Sequence, residues 1–166
     1  MALLNKFISK NQIETQIDTF KTNEKFLYMK DEIVSLIIKT LKSLCELEEE
    51  YTLIEKKQGA SFFELSWDDY KERYKAIIAP VCTEKLLKRG YADVLSSPAT
   101  YAYLNTSKCK IDFIMKNEKK AVVETHFDNG IKQKHQITAI NTPNGWKIDS
   151  FKYGYEDETT WNNYHI

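Results

Sequence analysis

The chain has 166 residues, 42% hydrophobic and 29% charged, which suits one globular domain large enough for its own core. Lysine plus arginine equals aspartate plus glutamate at 24 each, so no global field favours nucleic acid or an anionic membrane, and any electrostatic partner has to be met locally. Cys45, Cys82 and Cys109 are an odd number, far apart, with apolar neighbours such as Leu44, Val81 and Ile111; they read as reduced, buried packing residues, not a disulfide frame or a metal site.

The opening MALLNKFISKNQ has only Ala2 to Leu4 before Asn5 and Lys6, too short for a signal-peptide apolar region, and no later run is long enough to span a bilayer. A soluble, cytoplasmic protein is expected. Residues 1–22 form an N-terminal arm to which no role is assigned, and 23–166 read as one domain. From Asn23 to Lys57, Ile33, Ile37, Leu41, Leu44, Leu47, Tyr51 and Ile54 recur every three or four residues, one face of a long helix. Thr22 or Asn23 can cap its start, and Gly59 lies just past its end. A second helix is expected from Ser66, as the cap, with Asp68 and Asp69 in its first turn and Pro80 as its break. Thr83 to Gly90 reads as a third, short helix with an N-cap threonine and a glycine stop.

After Tyr91 the helical period fades. Tyr101 to Leu104 is expected as a short strand. Cys109, Ile111, Phe113 and Met115 then alternate with Lys108, Lys110, Asp112 and Lys116, which makes one apolar and one polar strand face. Ala121 to Phe127 is the next strand, Asp128-Asn129-Gly130 a hairpin turn, and Ile131 to Thr142 a long third strand. Pro143-Asn144-Gly145 turns again, and Trp146 to Tyr155 forms the fourth. Helices followed by an antiparallel meander predict an α+β domain whose sheet wraps the helices on one face.

This order, together with the ending Gly145-Trp146-Lys147-Ile148-Asp149-Ser150 and Lys152-Tyr153, resembles the nuclear transport factor 2-like (cystatin-like) fold. The continuation Tyr155-Glu156-Asp157-Glu158 and Trp161 resembles, more narrowly, the immunity proteins of bacterial polymorphic toxin systems built on that fold. The resemblance spans Asn23 to Ile166 and is concentrated in the last two dozen residues. It implies a cone, a strongly curved antiparallel sheet with helices in its concave side. It also implies a cognate toxin domain as partner, and for such folds a second copy on the open sheet face. Fold does not decide function, because the same cone hosts isomerases, dehydratases and binding modules.

An enzyme on this cone needs a carboxylate or an Asp–His pair inside it. On the strand Ala121 to Phe127, Ala121, Val123, Thr125 and Phe127 form the more apolar face, so Glu124 and His126 are expected outside, in solvent, as is Asp112. His135 shares parity with Ile137 and Ala139 and faces inward, without an acid of matching parity to orient it. His165 is expected exposed. No HExxH, GxSxG, P-loop or paired-cysteine spacing occurs. No catalytic residue, cofactor or metal is therefore assigned, and His126 is expected to have no catalytic role.

Binding has more to work with. Glu46, Glu48, Glu49 and Glu50 crowd the end of the long helix, where acids oppose the negative end of the macrodipole. Glu156, Asp157 and Glu158 form a second cluster, interleaved with Tyr153, Tyr155, Trp161 and Tyr164. Rings beside charges are the composition of protein-interface anchors. The competing account is a pair of solvated faces, with Trp161 tying the tail to the sheet. The candidate partner face is Glu156, Asp157, Glu158, Trp161, Tyr155 and Tyr164 with Glu48, Glu49 and Glu50. Its expected role is neutralising a toxin, one of nuclease type fitting a basic site, with no direct contact to nucleic acid or membrane. The alternative is a small-molecule-binding or isomerase-like enzyme of the same fold.

Overall fold

The computed structural model describes residues 15–17, 22–106 and 108–166; the opening Ala2 to Leu4 and most of the N-terminal arm lie outside them. The expected long helix is present as α1, Lys30–Gln58, preceded by a tighter 3₁₀ helix over Glu24–Met29. Asn23 caps that turn, its side chain accepting from Lys25 N at 3.2 Å. Gly59 ends α1 with φ +57°, a left-handed geometry that costs a glycine little. Ile33, Ile37, Leu41, Leu44, Leu47 and Tyr51 are all buried and Ile54 is half-buried, so the apolar stripe is the core-facing stripe.

Two short helical stretches differ from expectation. Phe62–Leu65 forms a short α2 that the reading missed, and α3 runs over Trp67–Ile78. Ser66 does not cap α3: its hydroxyl donates to Gln58 Oε1 at 2.9 Å, because the chain arrives there already coiled from α2. The third helix is the single turn α4, Glu84–Leu87, with Thr83 Oγ1 accepting from Leu86 N. Tyr101 to Leu104 is not a strand. It belongs to a 3₁₀ turn over Ala102–Asn105, closed by local bonds such as Leu104 N to Tyr101 O, with no strand beside it to pair.

Among the described residues the sheet has six strands in the order β1-β2-β3-β4-β5-β6. Strands β2 (Lys110–Asn117), β3 (Lys120–Asp128), β4 (Lys132–Thr142) and β5 (Gly145–Tyr155) are the expected meander. Two edges were not expected. Thr15–Ile17 of the arm adds β1, parallel to β2, and Asn162–Tyr164 adds β6, antiparallel to β5. A three-residue parallel partner and a three-residue return carry too little period-2 pattern to be read from sequence.

Register places Phe113, Val123, Ile137 and Phe151 in one row on the helix-facing side, all fully buried. A bulge where Thr138 pairs with Ser150 and Ala139 with Ile148 lets Ile148 and Phe151, three apart, both face the core. The extra residue, Asp149, turns to α4. Burial works to raise its carboxyl, but bonds from Lys85 and Thr83 outweigh that and hold it below the usual range. The three cysteines are free and buried. Burial pushes the Cys45 and Cys82 thiols up to about 12 and Cys109 up to about 11, so they are inert packing groups as expected.

Glu48 ties α1 to the irregular segment before the 3₁₀ turn. It is 3% exposed, and its carboxylate accepts from Ser96 N at 2.7 Å, Thr100 N at 2.6 Å and Thr100 Oγ1 at 3.1 Å. Removing it leaves two amides without their acceptor. Glu48→Ala should therefore lower stability by about 3 kcal/mol or more, whereas Glu49→Ala, on the exposed side, should stay within about 0.5 kcal/mol. Urea denaturation of both variants checks the contrast.

Candidate functional site

The helix-facing side of the sheet holds one polar group set among rings. His135 is buried, as its parity predicts, and its Nδ1 lies 2.8 Å from the Tyr103 hydroxyl, which also meets Thr125 Oγ1 at 3.2 Å. Tyr101, Tyr103, Phe127 and Phe151 surround the imidazole, with Tyr103 stacked on Phe127 at 3.8 Å between centroids. Burial lowers the His135 pKa to about 3 and pushes the Tyr103 phenol upward. The imidazole is neutral at physiological pH, and its partner is a hydroxyl, not an acid. That arrangement can satisfy a buried ring but offers no base poised for turnover.

The opposite face carries the other constellation. Asp112 on β2 pairs with Glu124 on β3, and Glu124 with Gln136 on β4, so these three stand in one outward row; Lys110, His126 and Lys134 form the next. Outward parity was read correctly, but solvation was not. Glu124 is 9% exposed, with Gln136 Nε2 on the neighbouring strand donating to its Oε1 at 2.8 Å. His126 is ringed by acids: Nδ1 lies 2.5 Å from Glu156 Oε1, and Nε2 lies 3.1 Å from Asp112 Oδ2 and 3.9 Å from Glu124 Oε2. The ligand-type atoms of Asp112, Glu124 and His126 all fall within 4.8 Å of one another. Asp112 and His126, with Glu156, border an open cleft of about 480 Å³ that Lys108, Lys110 and Lys132 also line.

The predicted partner residues separate into three groups. Glu48 is buried in the fold and is not available to a partner. Glu50 is an exposed clamp, its carboxylate taking both Arg73 nitrogens at 2.7 and 2.9 Å. The Arg73 bonds lower the Glu50 pKa against a slight opposing desolvation. Tyr51 completes this α1–α3 junction through its hydroxyl bond to Asp69. Glu48 and Glu50 therefore have structural reasons for lying late in α1, while Glu49 accepts only a weak Cys45 thiol contact at 3.6 Å.

The third group is the tail. Glu156, Asp157 and Glu158 are exposed, and the backbone holds them: Glu156 N donates to Lys132 O at 3.1 Å and Lys134 Nζ to Glu158 O at 2.6 Å. Trp161 is half-buried against Gly154, with Lys134 Nζ 4.9 Å from the centroid of its indole. A methyl at Gly154 would stand 2.9 Å from Thr160 O, so only glycine lets the tail cross β5 this closely. Tyr164 packs inward on Phe151 and Tyr153, and Tyr155 is half-buried beside Tyr153. His165 is half-buried, not exposed, bonded to Asp93 at 2.8 Å and stacked on Tyr164.

Compared with known protein families, with curated proteins and with solved structures, the chain matches none. Among the described residues no helix is long and apolar enough to cross a membrane.

The caged histidine sets a pH dependence. The unfolded imidazole titrates near about 6.5, well above its folded value of about 3. Between those values the unfolded chain binds the extra proton. Stability from this residue is thus complete above the unfolded value and is lost as pH falls, at about 1.4 kcal/mol per pH unit. His135→Gln, which keeps an acceptor for Tyr103 and cannot titrate there, should show a shallower fall in Tm between neutral and mildly acidic pH. Equal slopes in the two proteins would assign the acid sensitivity elsewhere.

Proposed function

We propose that this protein is an immunity-type binding protein, a nuclear transport factor 2-like cone that neutralises a cognate toxin in the bacterial cytoplasm by presenting its acidic tail to a basic surface. The observation that carries the reading is the state of that tail. Asp157 and Glu158 are exposed, while the segment bearing them is fastened by Lys132, Lys134 and the Trp161–Gly154 contact. A charged surface already held in place loses little conformational freedom on binding and steers encounter with an opposite charge. The alternative, a ligand or substrate inside the cone, has less support. Tyr101, Tyr103, Phe127, His135 and Phe151 fill that side of the sheet, and the cavity lined by Tyr70, Tyr74 and Tyr101 holds about 20 Å³, room for a water.

Co-expression with the C-terminal domain encoded by the neighbouring reading frame, scored by growth, tests the role directly. With a partner in hand, Asp157→Lys with Glu158→Lys should slow association roughly tenfold or more at low salt and leave dissociation nearly unchanged. Trp161→Ala should lower Tm through loss of the clamp on Gly154. No rescue of growth, or unchanged association for the double reversal at low salt, would overturn the reading.

A further inference from the structure

The outward constellation around His126 has a feature that a solvated acidic face does not require. His126 Nδ1 is committed to Glu156, so the ring's other nitrogen carries the chemistry, and Nε2 is a fully buried atom with no hydrogen-bond partner. It nevertheless lies 3.1 Å from Asp112 Oδ2. That contact is off the line of an N–H bond and so is not a hydrogen bond. With Nδ1–H donating to Glu156, Nε2 presents a lone pair toward oxygen lone pairs of Asp112 and Glu124, an arrangement that is repulsive without a cation among them.

From this geometry we infer that Asp112, Glu124 and His126 bind a divalent transition-metal ion, of which Zn²⁺ is the best fit, on the outer face of the sheet. Bonds of about 2.1 Å at near-tetrahedral angles put ligand atoms about 3.4 Å apart; the observed separations from Nε2, 3.1 and 3.9 Å, bracket that value. The donor set, one imidazole and two carboxylates, suits zinc better than magnesium or calcium, which take oxygen alone. Two of the three inner ligands are also held from behind. Glu156 fixes the tautomer of His126, and Gln136 Nε2 holds Glu124 Oε1, which turns Oε2 to the imidazole. Carboxylate–histidine support of this kind is how metal-binding histidines are oriented. Charge argues the same way: among the described residues no lysine or arginine nitrogen forms an ion pair with Asp112, Glu124 or Glu156. Three protein ligands leave a coordination position open toward the cleft, where water or an anionic oxygen completes the shell. The inference is independent of toxin binding, since it concerns the protein alone.

The full-length protein, stripped with chelator and titrated with ZnCl₂ by calorimetry, should bind one equivalent. Co²⁺ in its place should give visible d–d absorption without the near-ultraviolet thiolate band that Cys45, Cys82 or Cys109 would produce. His126→Ala and Glu124→Gln should each remove the binding, and Glu156→Gln should weaken it roughly 10- to 100-fold. Glu46→Gln, an exposed acid elsewhere, should leave it unchanged. Far-UV circular dichroism shows which variants fold, and Asp112→Asn replaces any that do not. Absence of saturable zinc uptake by the stripped wild type overturns the site, as does undiminished uptake by folded His126→Ala or Asp112→Asn.

Discussion

Everything else in this protein depends on the pairing register of β2, β3 and β4. Ile111, Phe113 and Met115 must all lie in the buried core, and a slip of one residue would turn each of them to solvent. Their partners Thr125, Val123 and Ala121 are held by the same condition, and so are His135, Ile137 and Ala139 one strand further on. Burial on one face therefore dictates the other. Asp112, Glu124 and Gln136 stand side by side because Phe113, Val123 and Ile137 do, and no attraction among the outward groups is needed to bring them together.

That coupling explains how like charges come to be crowded without unfolding the sheet. The row Phe113–Val123–Ile137–Phe151 is sealed from water, and each such side chain contributes about 1.5–3 kcal/mol when buried. Repulsion between partly solvated carboxylates is smaller, and Gln136 reduces it by donating to Glu124. The core can therefore impose an acidic cluster on its outer face, and the cluster is available for chemistry that the core does not need.

The same logic separates structural acids from presented ones. Glu48 and Glu50 belong to one sequence run, yet one is buried on backbone amides and the other grips Arg73 across the helix junction. Asp157 and Glu158 have no such attachment through their side chains to another element; the backbone and Trp161 hold the segment instead. Acids fixed by their backbone, with carboxylates not tied to another element, can meet a partner, whereas acids bonded through their carboxylates to other elements mainly hold the protein together.

Local pattern alone determined the α1 stripe, the Gly59 stop, the Thr83 cap, four of the strands and the inward parity of His135. Each depends on neighbours within a few residues, where period and capping chemistry act. The failures have a common cause. Ser66 lost its cap to Gln58, Tyr101 to Leu104 coiled for want of a partner strand, and β1 and β6 exist only because β2 and β5 offered open edges. Glu48 carries nothing in its own sequence context to distinguish it from Glu49; the loop that it anchors lies 48 to 52 residues away. The His126 constellation was legible as three outward polar residues and no further. Glu156 is separated from His126 by 30 residues, and only the register of three strands, β3 to β5, brings its carboxylate to the ring. Parity is a property of one strand, but adjacency belongs to the assembled sheet, and so the chemistry of the outer face was decided by tertiary structure.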